Sequence, residues 1–155
     1  MHPDLYRLLI ALGIGAIIGA EREYRSKSAG LRTMIMVSLS SCLFTILSVK
    51  IGLDSHDRIA ANILTGLGFV GAGVIFKDEN RISGITTATT IWMTAALGMA
   101  AGAGYELLSL FATFIVLIVL IFLIYVQELI EALSQARTYR LICPYQQKTL
   151  EPIQY

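Results

Sequence analysis

The chain has 155 residues, of which 55% are hydrophobic and only 15% are charged, and its formal net charge is +1. Soluble domains carry about 25% charged residues, so this composition predicts a membrane protein and argues against a sizeable soluble core. A net charge this close to zero gives no reason to expect nucleic acid as a partner.

Five uncharged stretches divide the chain. A helix needs about 20 apolar residues to cross a bilayer, with about 17–25 usual, and four stretches lie near that range. The first is shorter, but Asp4–Arg7 extend it because the long side chain of Arg7 can reach the interface. We therefore predict an all-α membrane protein with about five transmembrane helices in one domain, residues 1–137, followed by a short tail, residues 138–155, that is too short to fold alone. The stretches are Leu8–Ala20, Thr33–Val49, Ile59–Phe76, Ile82–Tyr105 and Leu107–Val126.

The basic residues predict the orientation of these spans. Nine lie in the tail and in the loops after the first and third stretches, whereas three lie on the opposite side. Because basic residues favour the cytoplasmic side, we predict that the N-terminus is outside and the tail is cytoplasmic. A cleaved signal peptide is the alternative for the first stretch, but Ile18 stands where cleavage needs a small residue.

Glycines mark the faces on which the spans are predicted to pack. Transmembrane helices associate where small residues let their backbones approach. Packing within the chain is the favoured interpretation, and a homo-oligomer face is the alternative. The fifth span has no such stripe and is predicted to be peripheral and to face lipid. The predicted packing residues are Gly15 and Gly19 in the first span, Gly66, Gly68, Gly71 and Gly73 in the third, and Gly98 and Gly102 in the fourth.

The segment Gly66–Phe76 is the densest in glycine and contains a G-x-G-x-x-G match. That fingerprint binds dinucleotides only between a strand and a helix of a βαβ unit. Both flanks are membrane span here, so we exclude a nucleotide site. We predict instead that this segment is the core against which the other motif-bearing helices pack. A broken helix lining a cavity is the alternative.

Polar residues gather at the ends of four spans that the topology places on the cytoplasmic side. The second and fourth spans begin there, and helix N-termini carry partial positive charge. The group forms either a vestibule that holds an ion, an anion or a partner's side chains, or a plain network of interfacial salt bridges. The candidate site residues are Glu21, Arg22, Glu23, Arg32, Thr33, Asp78, Thr86 and Thr87.

Deeper polar residues define a second candidate. Thr86, Thr90 and Thr94 are four residues apart and share one helix face. Their hydroxyls are expected to bond the carbonyl four residues earlier or a neighbouring helix. The alternative is a polar pathway through the membrane that includes Asn62, Thr90 and Thr94.

Four motifs in the same order and spacing resemble the MgtC/SapB family, and the resemblance covers about residues 5–126. It implies a multi-pass protein of the bacterial inner membrane, linked to growth at low magnesium and, in pathogens, to survival inside host cells. It also implies that some members bind other membrane proteins, including ATP synthase and sensor kinases, and it implies no enzymatic activity. The motifs are Gly19–Glu23 (GAERE), Ala29–Thr33 (AGLRT), Gly66–Ile75 (GLGFVGAGVI) and Gly84–Ala88 (GITTA) followed by Ile91-Trp92.

The chain departs from the family pattern in two ways. Met34 stands where many members have histidine or asparagine, so a polar role at that position is not expected. Members tied to virulence often continue into a soluble C-terminal domain, which residues 138–155 cannot form.

The predicted function is regulation through binding other membrane proteins. The alternative is a transporter or channel for magnesium or another small ion or solute, using the cytoplasmic-side vestibule. No cofactor is expected, and Mg²⁺ is the metal ion considered as a ligand. Magnesium sites use carboxylates and retained water, and the carboxylates near the vestibule are all interfacial: Glu21, Glu23, Asp78 and Glu79.

Overall fold

The computed structural model describes residues 3–51, 56–78 and 81–133, and the predicted tail lies outside them. The prediction of five helices is confirmed. Two short strands separate the third helix from the fourth. In chain order, the elements are α1 (Pro3–Tyr24), α2 (Leu31–Ile51), α3 (His56–Gly73), β1 (Phe76–Asp78), β2 (Arg81–Ser83), α4 (Ile85–Gly102) and α5 (Glu106–Leu133).

Strands β1 and β2 add a short hairpin that the all-α prediction did not include. They form an antiparallel hairpin in which Phe76 pairs with Ser83 and Asp78 pairs with Arg81. Gly84 follows with a φ of 91°, and a side chain there would collide with the carbonyl of Val74. Glycine adopts this left-handed conformation without steric cost, so it allows the chain to turn directly from the hairpin into α4.

Three helices form the centre of the molecule. Helix α2 makes its most extensive contacts with α1 and α4, and these two helices also contact each other. The close approaches predicted in the first and fourth spans are present. A methyl group added at Gly19 would lie 2.8 Å from the Cα of Leu31, and one added at Gly102 would lie 2.5 Å from the carbonyl oxygen of Cys42. Gly15 contacts the α2 backbone at Met34 and Ile35, and Gly98 contacts it at Ser38.

Buried hydroxyl groups connect the helices as well. Ser38 Oγ of α2 donates to the carbonyl oxygen of Ala11 in α1 at 2.7 Å. Ser109 Oγ of α5 donates to the carbonyl oxygen of Leu97 in α4 at 2.8 Å. Both hydroxyls are fully buried. Each bond therefore replaces hydration that the buried groups have lost.

Helix α3 is not the core that its glycines predicted. Among the residues that the structure describes, nothing lies within 4 Å of a methyl group built at Gly66, Gly68 or Gly73. Gly71 is buried but makes only an ordinary contact, 3.7 Å to the Cβ of Ala88. Phe69, beside these glycines, is 85% exposed. Small residues permit a close approach without requiring one, and here the third span lies at the edge of the bundle.

Helix α5 is peripheral, as predicted. Most of its large apolar side chains are exposed, whereas Ser109, Thr113 and Leu120 are buried. Within the described residues, three helices are long and apolar enough to cross a membrane: α1, α2 and residues Glu106–Ile130 of α5. The apolar part of α3, Ala61–Gly73, is shorter. The structure therefore supports a membrane protein with at least three candidate spans, while five spans and their orientation remain predictions.

The glycine contacts generate a stability prediction. We expect Gly98→Ala to lower the free energy of unfolding by about 1–3 kcal/mol, because the added methyl group meets the backbone of Ser38. The matched control is Gly68→Ala in the open face of α3, which should leave this free energy unchanged or raise it by up to about 1 kcal/mol. Denaturant unfolding in detergent micelles measures both, and equal losses in the two variants would contradict the prediction.

Candidate functional site

Part of the predicted vestibule forms a real cavity. We call it the Arg22 cavity. It has a volume of about 560 Å³ and lies where the end of α1, the start of α4 and one flank of α5 meet. Small-molecule sites typically measure about 300–1,000 Å³, so its size suits a ligand. Its wall consists of Arg22, Ser26, Lys27, Ser28, Val74, Phe76, Ser83, Gly84, Thr86, Thr87, Val119, Leu120, Leu123, Ile124 and Gln127.

Arg22 is the most unusual residue of this cavity, because it is a charged side chain that is only 2% exposed. Its Nη1 lies 3.5 Å from Oε2 of Glu21. Its Nε and Nη2 are buried and have no hydrogen-bond partner in the described part of the chain. A buried donor left unpaired costs about 1–3 kcal/mol, and more when it is charged.

Glu21 neutralises only part of this charge. Its carboxylate also forms an ion pair and hydrogen bond with Arg25, one helical turn later. The single carboxylate of Glu21 therefore pairs with both Arg22 and Arg25. Glu21 is not part of the cavity wall, and the charged residues that are, Arg22 and Lys27, are both basic.

The first turn of α4 adds a second source of positive potential. The first four N–H groups of a helix have no partner within it, and the intrahelical bonds here begin with Ala88 N–H to the carbonyl of Gly84. Gly84 offers no side chain to cap the helix. Thr86 and Thr87 of this turn line the cavity.

The other predicted site residues do not join this cavity. Glu23 Oε2 accepts a hydrogen bond from the backbone N–H of Leu31 at 3.0 Å, so it caps the start of α2. Arg32 and Thr33 are exposed and are not part of the cavity wall. Asp78 ends β1, but its side chain lies outside the described part of the chain, as does Glu79.

Sequence reasoning missed one basic residue and an entire wall of this cavity. Lys27 was used only to predict orientation, yet it lines the cavity with Ser26 and Ser28 of the same loop. The apolar wall comes from α5, including Leu120 and Ile124. That helix is apolar all round, so its sequence gave no sign of which flank would face the site.

The predicted polar pathway is not assembled. Thr90 and Thr94 are buried, and their hydroxyls donate to the carbonyl oxygens four residues earlier at 2.6 and 2.8 Å. This confirms the back-bonding interpretation. Thr94 also contacts the sulfur of buried Met34 at 3.6 Å, so position 34 belongs to the core. Asn62 lies elsewhere and is exposed.

Asn62 belongs to a second hollow, which we call the α2–α3 groove. It has a volume of about 360 Å³ and opens between α2 and α3. Three of its residues come from α2 and four from α3: Ser40, Ser41, Phe44, Asn62, Ile63, Gly66 and Leu67.

Neither hollow has the donor set of a magnesium site. Mg²⁺ prefers an octahedron of oxygen ligands that includes carboxylates. Within residues 3–51, 56–78 and 81–133, no group of three or more His, Cys, Asp or Glu side chains is placed to hold a metal ion. The charge lining the Arg22 cavity instead attracts anions.

The pairing of Arg22 with Glu21 yields a second prediction. We expect Glu21→Gln to lower the free energy of unfolding by about 2–3 kcal/mol, because it leaves a buried arginine without its ion pair. Glu23→Gln is the control, since its amide oxygen still accepts from Leu31 N–H; it should cost less than about 1 kcal/mol. Denaturant unfolding in micelles measures the difference, and equal effects would show that Arg22 does not depend on Glu21.

Comparisons with known proteins agree with the resemblance seen in the motifs. The chain is 42% identical over 113 residues to "Protein MgtC" of Salmonella typhimurium, which covers 73% of this chain and 49% of that protein. It is 44% identical over 117 residues to "Protein SapB" of Bacillus subtilis, covering 68% and 50%. It is 47% identical over 111 residues to "Putative magnesium transporter YhiD" of Escherichia coli, covering 64% and 51%.

The chain thus spans about half the length of the curated relatives that it matches. No solved structure matches it. The model of the MgtC family matches residues 8–129, which contain α2, α3 and α4 in full and most of α1 and α5. Because that match covers well over half of the sequence, the chain belongs to the MgtC family.

Proposed function

We propose that this chain is a multi-pass protein of the bacterial inner membrane that regulates other membrane proteins by binding them within the bilayer. Family membership supports the membrane setting, and the family's link to growth at low magnesium suggests when such regulation is needed. The proposal assigns the chain no enzymatic activity and no cofactor.

The α2–α3 groove is the observation that carries this proposal. Gly15 and Gly19 of α1 and Gly98 and Gly102 of α4 pack against the backbone of α2, whereas Gly66 in the groove has open space beside it. Asn62 exposes a primary amide at the same place. In lipid such a group needs a hydrogen-bond partner. A transmembrane helix packed into the groove would supply that partner and use the space beside Gly66.

The chemistry of the groove favours a helix from a different protein. The exposed face of α5 presents large apolar side chains such as Phe111, Phe114 and Phe122. Such side chains cannot satisfy the amide of Asn62. The occupant is therefore a transmembrane helix that carries a polar side chain, and a second copy of this chain is the competing outcome of the test.

Photo-crosslinking in bacterial inner membranes tests this proposal. A photoreactive residue at Phe44, inside the groove, should give an adduct with an integral membrane protein that mass spectrometry identifies as different from this chain. The same residue at Phe111, on the exposed face of α5, serves as the position control. The adduct should form again when the identified protein and this chain are reconstituted together from purified components.

Two glycine variants make the crosslinking test sharper. Gly66→Leu fills the groove and should reduce the Phe44 adduct at least about tenfold, equivalent to about 1.4 kcal/mol of binding free energy. Gly68→Leu adds the same side chain to the same helix outside the groove and should leave the adduct unchanged. An adduct only with a second copy, or one insensitive to Gly66→Leu, would contradict the proposal.

Transport is the second candidate function. The name of the Escherichia coli relative points to magnesium, and the Arg22 cavity offers a binding volume on the side that we predict to be cytoplasmic. Its basic lining suits an anion better than Mg²⁺. Flux of Mg²⁺, protons and phosphate into liposomes containing the purified chain tests this candidate. Saturable flux of any of them would favour transport over regulation by binding.

A further inference from the structure

We propose that the Arg22 cavity binds a phosphate group. This inference is independent of the α2–α3 groove and of partner binding. It rests on an unsatisfied buried guanidinium, a second basic side chain and a helix N-terminus that share one cavity wall.

The pattern of unpaired atoms on Arg22 indicates the shape of the ligand. Nε and Nη2 lie on the same edge of the guanidinium, and their N–H bonds point in nearly the same direction. This is the edge with which arginine binds two oxygens of a phosphate or carboxylate at once. Glu21 approaches the third nitrogen, Nη1, so the ion pair within the chain leaves the two-donor edge without a partner among the described residues.

The rest of the wall favours phosphate over a carboxylate. Lys27 adds a second positive charge, and Thr86 and Thr87 belong to the first turn of α4. Helix N-termini bind phosphate because their free N–H groups and partial positive charge face the anion. The hydroxyls of Ser26, Ser28 and the two threonines supply further donors. A group with three or four oxygens can use more of these donors than a carboxylate can.

The apolar part of the wall suggests where the phosphate can come from. Val119, Leu123 and Ile124 of α5 form one flank of the cavity. Such a flank would accommodate the first carbons of a phospholipid chain while its headgroup phosphate reaches Arg22. A free phosphate ion would use the polar end alone. Arg22 would bind a phosphate group in both cases. The experiment below distinguishes a lipid headgroup from a free phosphate ion.

The test uses the full chain purified in detergent. The first arm follows the midpoint of thermal unfolding during a titration with inorganic phosphate, against sodium chloride of equal ionic strength. The second arm measures by native mass spectrometry whether the chain retains phosphatidylglycerol in preference to diacylglycerol, which has the same acyl chains but no phosphate. A rise in the midpoint indicates a free phosphate source, and selective lipid retention indicates a lipid source. The absence of both overturns the proposal.

Three charge-removing variants locate the binding. Arg22→Gln and Lys27→Gln should each weaken binding at least about tenfold, the loss expected for one charge-assisted hydrogen bond. Arg32→Gln removes the same charge from an exposed position outside the cavity wall and should change binding less than about twofold. If Arg22→Gln does not fold, Lys27→Gln alone tests the assignment, because an exposed side chain can be replaced without disturbing the fold. Equal weakening by Lys27→Gln and Arg32→Gln would overturn the assignment.

Discussion

Contact between backbones, without intervening side chains, is the constraint on which the rest of this structure depends. Helix α2 touches α1 at Gly15 and Gly19, and it touches α4 at Gly98 and Gly102. Since lipid is as apolar as a leucine side chain, helices in a bilayer gain little from hydrophobic burial and associate through such close packing. The three helices form one unit, and α3 and α5 are left at its edges with their surfaces available.

This close packing also explains where the polar groups reside. Within the unit, hydroxyls bond to carbonyls of their own helix or of the neighbouring one, as Thr94 and Ser38 do, so little unsatisfied polarity remains there. At one end of the unit, the end of α1 and the start of α4 line the Arg22 cavity. There the guanidinium of Arg22 is enclosed without enough acceptors. Arg22, whose buried Nε and Nη2 have no hydrogen-bond partner among the described residues, therefore lies beside a cavity with space for a ligand.

Hydropathy and small-residue spacing predicted the five helices and the tight contacts at Gly98 and Gly102. They were wrong about α3. Gly66 and Gly68 stand in the same kind of small-residue pattern as the packing glycines, but they face open space. The spacing of glycines shows where another helix can approach closely. It does not show which helix, if any, packs there. Strands of three residues are too short to show an alternating pattern, so the hairpin was missed. Arg22 was predicted as a site residue, but the cavity that it lines is built from three separate helices.

The hairpin connects α3 to the wall of the Arg22 cavity. One end of this helix is joined through β1 and β2 to Gly84, whose backbone is packed directly against Val74. Phe76 and Ser83 are paired in that hairpin and also line the Arg22 cavity. One continuous segment of the chain thus contributes to both hollows, to the groove through α3 and to the cavity through the hairpin.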